Sequence, residues 1–224
     1  MKIYPLDKTI IRVRGNAERF LSGLTSNTLD KPHNAFLNLH GRIIATFDQV
    51  GSGEDEFLLV IAPSVWGTLQ AHVDKYARLN KTVLEVVPLI ACFDLDGDVL
   101  LHEDDFTIPQ NAGRIVLTSQ ALAPTISDSA FTLFRLKYQI PVHGVDYADE
   151  MVLNVHEYDF VSYTKGCFLG QEPVAKVHNR SRPTWKLAVH YADELPQEEQ
   201  AKMTSKAVDP QTGRIKGFVF VKNI

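Results

Sequence analysis

The chain has 224 residues, 45% of them hydrophobic and 22% charged, with a formal charge of −4. This is ordinary globular composition with room for one large domain or two small ones, and it excludes general disorder. It leaves no global basic footprint for nucleic acid, and no apolar run approaches the ~20 residues of a membrane span, so neither direct nucleic-acid binding nor a membrane partner is expected. The two cysteines, Cys92 and Cys167, form no disulfide framework, and the N-terminal segment has no secretory apolar region. A reducing, cytoplasmic compartment is therefore expected.

Residues 1–14 alternate through Thr9-Ile10-Ile11-Arg12-Val13-Arg14 and predict a strand. Gly15-Asn16 ends it, and Asn16 is placed to cap a helix over Ala17–Leu21 that stops near Gly23. Thr25-Ser26-Asn27 reads as loop. Phe36–Leu39, a turn at His40-Gly41-Arg42 and Ile43–Val50 predict a hairpin, with Gly51-Ser52-Gly53 turning into a further strand, Glu56–Ile61. Pro63 opens the clearest helix, about 63–78, with Val65, Trp66, Leu69, Val73 and Tyr76 on one side. Thr82–Val87 and Leu89–Leu95 read as strands, the second closing on a hairpin signal at Asp96-Gly97. Residues 103–114 read as polar loop, Phe131–Tyr138 fits helix or strand equally, and 141–164 reads as mostly irregular. Trp185–Tyr191 and Lys216–Val221 are strands flanking a polar stretch, Asp193–Ser205. Strands and helices do not alternate regularly, which favours α+β over a doubly wound sheet. A boundary falls near residues 179–184, and the forty-odd residues beyond it are too few for an independent core.

The chemistry concentrates at T-K-G-C-F-L-G-Q-E, residues 164–172. Gly166 and Gly170 flank Cys167 and permit a tight turn, and Lys165 is placed to stabilise a thiolate, the form that attacks electrophiles and binds soft metals. From Lys165 to Lys186 there are five basic residues (Lys165, Lys176, Arg180, Arg182, Lys186) against one acid, Glu172. Such a patch suits an anionic ligand or partner, although a basic run is more often a solvated face. A lone cysteine is more often a small buried hydrophobe, and Cys92, inside an apparent strand, is expected to be one. No H-x-H, H-E-x-x-H or C-x-x-C spacing occurs, so a closed internal metal centre is not expected. A cluster bound at Cys167 would need ligands from another molecule.

The run Lys165-Gly166-Cys167-Phe168-Leu169-Gly170-Gln171-Glu172, with Lys176 four residues on, resembles the K-G-C-[YF]-x-G-Q-E-x-x-x-[RK] signature of the YgfZ family of folate-binding proteins. Arg14–Asn27 is similar to that family's opening segment, Leu39-His40-Gly41-Arg42-Ile43 to its hairpin, and Asn154 with Val161–Thr164 to the approach to the cysteine. The resemblance implies the fold of the glycine-cleavage aminomethyltransferases. On this reading a folate-binding α+β body covers residues 1–180 and an abbreviated β-barrel-like subdomain 181–224. It implies tetrahydrofolate or a derivative as cofactor, and a role in assembly or repair of iron–sulfur proteins, including tRNA-thiolating enzymes. Iron–sulfur carrier or client proteins would be the partners. Cys167 would be the reactive thiol or the ligand of a transient shared cluster. Gly166 and Gly170 would shape its loop, Gln171 and Glu172 would order it, and Lys176 and Arg180 would meet a folate tail or an acidic partner. Arg135 and Asn154 are further candidates for the folate site. The aspartate that the related aminomethyltransferases carry in this hairpin aligns with Thr46, with Asp48 out of register. This argues for an accessory factor rather than an aminomethyl transferase, with folate-dependent one-carbon transfer as the alternative.

Overall fold

The computed structural model of the chain describes residues 1–156 and 158–223. The larger sheet is antiparallel and runs in the order β3 (His33–Leu37), β4 (Ile43–Gly53), β5 (Glu56–Ile61), β2 (Thr9–Arg14), β6 (Val83–Val86). Alternation at period two divides its apolar residues between two cores. Ile11, Val13, Ala45, Leu59 and Ile61 face helices α1 (Ala17–Leu24) and α2 (Trp66–Asn80). Ile10, Leu58 and Val60 face a second sheet, β1 (Ile3–Leu6), β7 (Ile90–Asp94), β9 (Arg114–Thr118), β8 (Phe106–Pro109), together with Phe131 of α3 (Asp128–Tyr138). The predicted α+β class holds. Cys92 is buried behind the second sheet with Ile3, Val99 and Val116, as expected of a core thiol, and burial pushes it up to about 11.

Several local expectations change. Residues 1–14 form two strands in different sheets, because the chain crosses between the sheets at Asp7-Lys8. Pro5, which cannot donate to a ladder, sits on the edge strand β1. Asn16 does not cap α1. Its backbone is left-handed, which aims its amide at the Asn80 carbonyl, and Asp55 Oδ1 accepts the Glu18 N–H instead, at 2.7 Å. β4 continues through Gly51-Ser52-Gly53 and turns at Asp55. Asp96-Gly97 does turn, with Gly97, Asp98 and Val99 N–H groups donating to the buried Asp94 carboxylate, but no two-residue hairpin results. The next strand, β8, pairs with β9 instead. β8 lies inside the predicted polar loop, where Phe106 and Ile108 alternate with polar neighbours. The ambiguous 131–138 segment is helical, capped by Ser127 Oγ. The stretch 141–164 is irregular apart from α4 (Val152–Val155), and 193–205 includes α6 (Gln197–Lys202).

After α5 (Gln171–Lys176) and a π-helical turn, Val177–Ser181, the chain forms a three-stranded sheet, β10 (Trp185–Tyr191), β12 (Ile215–Lys222), β11 (Thr204–Val208). These strands do not close into a barrel. They pack through Leu187 and Phe218 on Leu37, Ile43, Val152 and Phe168 of the body. Among the described residues no helix is long and apolar enough to cross a membrane.

Candidate functional site

Between the two sheets lies a cavity with about 810 Å³ of empty space, part of it open to solvent. Thr46 and Asp48 are two residues apart on β4 and so point into it together, while Phe47 between them contributes to the helix-side core. Asp48 Oδ1 lies 2.7 Å from His33 Nδ1 and accepts from Gln110 Nε2 at 3.0 Å. Burial would push the Asp48 carboxyl up, but His33, Lys8 and Gln110 hold it below the usual range. Burial likewise would lower His33, and the Asp48 carboxylate overrides it, so His33 is raised. Lys8, at the crossing between the sheets, lines the same space, and burial lowers its ammonium.

A second polar group fills the other side. The Thr46 and Tyr147 hydroxyls are 2.6 Å apart, and His156 Nε2 is 3.0 Å from the Tyr147 hydroxyl. His143 Nδ1 accepts the Thr46 N–H at 3.2 Å, which fixes it as a neutral acceptor. Burial lowers His143 to about 4 and His156 to about 3, and raises Tyr147. His33, Phe160 and His156 stack in sequence, with centroid separations of 5.1 and 3.8 Å. The result is an aromatic wall with a charged end, the usual character of a small-molecule site. These residues fit a flat heteroaromatic ligand carrying N–H donors toward Asp48 and an anionic group toward Lys8.

The cavity opens through His33, Gln110, Asn111 and Asp159 into an outer basin, and the basin meets, at Thr28 and Asp30, a groove lined by Ser22, Gly23, Lys165 and Cys167. One segment spans both sites: Asp159 and Phe160 wall the cavity, and Cys167 ends the run in the groove, exposed. This segment is pinned to Thr25–Asn27. Ser26 Oγ donates to the Phe160 carbonyl (2.6 Å), Asn27 Nδ2 to the Asp159 carbonyl (2.8 Å), and the Ser162 N–H to the Ser26 carbonyl (2.9 Å). Lys165 Nζ donates to the Thr25 and Asn27 carbonyls, each at 2.7 Å, and lies 5.3 Å from the Phe168 ring centroid. Burial lowers Lys165 to about 8.

Gly170 starts α5 with φ +84°, and a Cβ there would stand 2.4 Å from the Asn38 carbonyl oxygen. Gly41, at the tip of the β3–β4 hairpin, has φ +72°, and a Cβ there would stand 3.0–3.3 Å from the Val174, Met151 and Pro173 side chains, a tight fit. The start of α5 thus meets the hairpin backbone at Asn38, while the hairpin tip packs on side chains of α5. Gly166 is surrounded by open space and needs no glycine.

The predicted site residues separate into groups. Lys165, Gly166, Cys167 and Gly170 share the loop. The Gln171 and Glu172 side chains form no hydrogen bond among the described residues; the Gln171 N–H donates to the Phe168 carbonyl. Lys176 and Arg180 are exposed beyond the thiol. Arg135 borders the cavity, but its guanidinium is engaged by Asp146 (3.0 Å) and Ser205 (2.6 Å), joining α3 to β11. Asn154 donates to Glu150 (3.2 Å) and does not line the cavity. Sequence reasoning passed over Lys8, His33, Gln110, His143, Tyr147 and His156, which no spacing pattern links. It read Asp48 as out of register, whereas alternation keeps it on the Thr46 face. Among the described residues no three metal-ligating side chains gather.

The α+β body around a central cavity has the fold of a glycine-cleavage aminomethyltransferase. The aminomethyltransferase T of Bartonella henselae matches with a TM-score of 0.69, over 99% of this chain and 78% of that one, at 15% identity. On sequence the chain is similar to iron–sulfur cluster assembly factors and to a YgfZ protein. It is 29% identical over 219 residues to the mouse "Iron-sulfur cluster assembly factor IBA57, mitochondrial", covering 77% of this chain and 61% of that protein. It is 20% identical over 176 residues to the "tRNA-modifying protein YgfZ" of Colwellia psychrerythraea, covering 64% and 54% respectively. The chain therefore spans less than two thirds of either relative. No protein-family profile matches it.

Proposed function

We propose that the chain is a tetrahydrofolate-binding accessory factor for the assembly or repair of iron–sulfur proteins, tRNA-thiolating enzymes among them. One observation carries the reading. A single pinned segment walls a polar, aromatic cavity at Asp159-Phe160 and ends on the exposed thiol of Cys167. The names of its relatives point to the same biochemistry. Asp48, His33 and Lys8 would hold the folate, and Phe160 would stack on it. Cys167 would serve as one ligand of a cluster whose other ligands come from a carrier or client, since the chain gathers no set of its own among the described residues.

The test is complementation of a bacterium lacking its own YgfZ-type protein, read as the activity of an iron–sulfur-dependent tRNA-thiolating enzyme. Wild type should rescue and Cys167→Ala should not. Rescue by both would remove the thiol from the mechanism. Binding of tetrahydrofolate, followed by calorimetry, should weaken at least tenfold in Asp48→Asn; unchanged affinity would place the folate elsewhere.

A specific feature favours a second reading, one-carbon transfer. Thr46 lacks the charge to polarise a folate amine, but Asp48 supplies a carboxylate to the same face one strand repeat on. Turnover of an aminomethyl or N-methyl donor with tetrahydrofolate, lost in Asp48→Asn, would establish it.

A further inference from the structure

Beyond the thiol loop the surface changes character. Lys176, Arg180, Arg182, Lys186 and Lys222 are all exposed, and none forms an ion pair or donates a side-chain hydrogen bond among the described residues. Elsewhere Arg12, Arg42, Arg78, Arg114, Arg135 and Arg214 are each held by a carboxylate, although Arg19, Lys75, Lys81 and Lys137 also form no ion pair among the described residues. Lys176 and Arg180 are four residues apart where α5 runs into the π-helical turn and so are neighbours, and Arg182 ends that turn. In the sheet that follows, Lys222 stands opposite Trp185, while Lys186 points to the other face.

Two further observations mark this surface. The turn that carries Arg180 is π-helical, and it ends at Arg182 with φ 55° and ψ 159°, a backbone region that side-chain-bearing residues rarely occupy. Beside it the Tyr163 and His178 rings stack with centroids 3.7 Å apart, and Trp185 is 40% exposed. Arginine with exposed aromatics is the composition of interface anchors.

We infer that this surface docks an acidic face of the iron–sulfur carrier or client protein, and orients that partner over Cys167. The inference rests on the function proposed above. Its geometry follows from helix rise: at about 1.5 Å per residue, Arg180 lies on the order of 15 Å from the start of α5. A standard interface of about 800 Å² per partner is wide enough to span that length. A protein occupant fits better than nucleic acid. Four of the cations fall within one eleven-residue segment, Lys176 to Lys186, of a chain whose net charge is −4, and the chain carries no long basic stripe.

The experiment uses the host bacterium's purified apo iron–sulfur carrier, dye-labelled, with bulk host tRNA as a second probe and fluorescence anisotropy as readout. Lys176→Glu/Arg180→Glu changes only exposed side chains that have no ion pair or hydrogen bond among the described residues, and an unchanged melting temperature checks its fold. At 50 mM NaCl the double variant should bind the carrier about 30-fold more weakly than wild type, and the gap should close by 500 mM as charge is screened. Equal carrier affinity for the two proteins overturns the inference. So does tRNA binding that is tighter than carrier binding and lost in the double variant, which would make the patch a nucleic-acid surface. Complementation separates this from the parent reading. A double variant that rescues like wild type removes the docking surface and leaves the function intact. A wild-type chain that neither rescues nor binds the carrier removes both.

Discussion

In the cavity, side chains hold one another: Asp48 is bonded to His33 and Gln110, Thr46 to Tyr147, and His156 to Tyr147. In the thiol loop the backbone does this work, through carbonyls that take the Lys165 ammonium and through glycines that let two turns touch. The cavity therefore presents polar groups fixed before any ligand arrives. The loop leaves the exposed Cys167 side chain without a hydrogen bond among the described residues. Charge and protonation should govern the first region, and steric fit of the main chain the second.

Acid should separate them most. His143 and His156 stay neutral in the folded chain, at about 4 and about 3, while an unfolded histidine titrates near 6.5. The unfolded chain thus binds protons first, and stability is full above about pH 6.5 and falls as the pH drops toward 4. Each ring contributes on the order of 3 kcal/mol to that loss. Urea midpoints at pH 7 and pH 4.5 should fall less on acidification in His143→Phe and His156→Phe than in wild type. In the His33–Asp48 pair, His33 adds a share of opposite sign and Asp48 one of the same sign. The raised His33 stabilises fully below about pH 6.5, and that share fades as pH rises through its folded value; the lowered Asp48 loses its share only below about pH 4. Asp48→Asn should abolish both.

In the loop, Gly170→Ala should cost about 3 kcal/mol, because the backbone is left-handed and the new Cβ meets the Asn38 carbonyl. Thermal melting should show a drop of roughly 6–12 °C. Lys165→Met removes two charge-assisted bonds to buried carbonyls and should cost about 2 kcal/mol, with its pH dependence unchanged from wild type below pH 7. Gly166→Ala should stay within about 0.5 kcal/mol. A large effect there, or a small one at Gly170, would reverse the assignment of which glycine shapes the loop.

How much of this could be read beforehand differs between the two regions for physical reasons. The loop is local: a glycine, a thiol and a lysine within six residues announce themselves, although spacing alone did not reveal that Lys165 would turn inward to Thr25 and Asn27. The cavity is assembled from residues scattered from Lys8 to Phe160. One of its contacts was nearly legible. The β3–β4 hairpin was expected around His40-Gly41-Arg42, and its observed pairing at Leu37↔Ile43 would, if continued, set His33 against Phe47. A bulge at Ile44 shifts the register by one residue and sets His33 against Asp48 instead. Period-two reasoning predicts the face of each residue but not the bulge that chooses its partner. The strand Phe106–Pro109 was hidden by the acids before it, and α3 by aromatics that suit either helix or strand.

Gly41 and Gly170 come from segments far apart in the chain, yet Gly170 lies against the Asn38 carbonyl of the hairpin and Gly41 against Pro173 and Val174 of α5. The thiol loop is consequently not a portable cassette. Residues 159–176 transplanted onto another scaffold would arrive without the turn at 38–42 that gives them their shape, so a working graft must carry both pieces together.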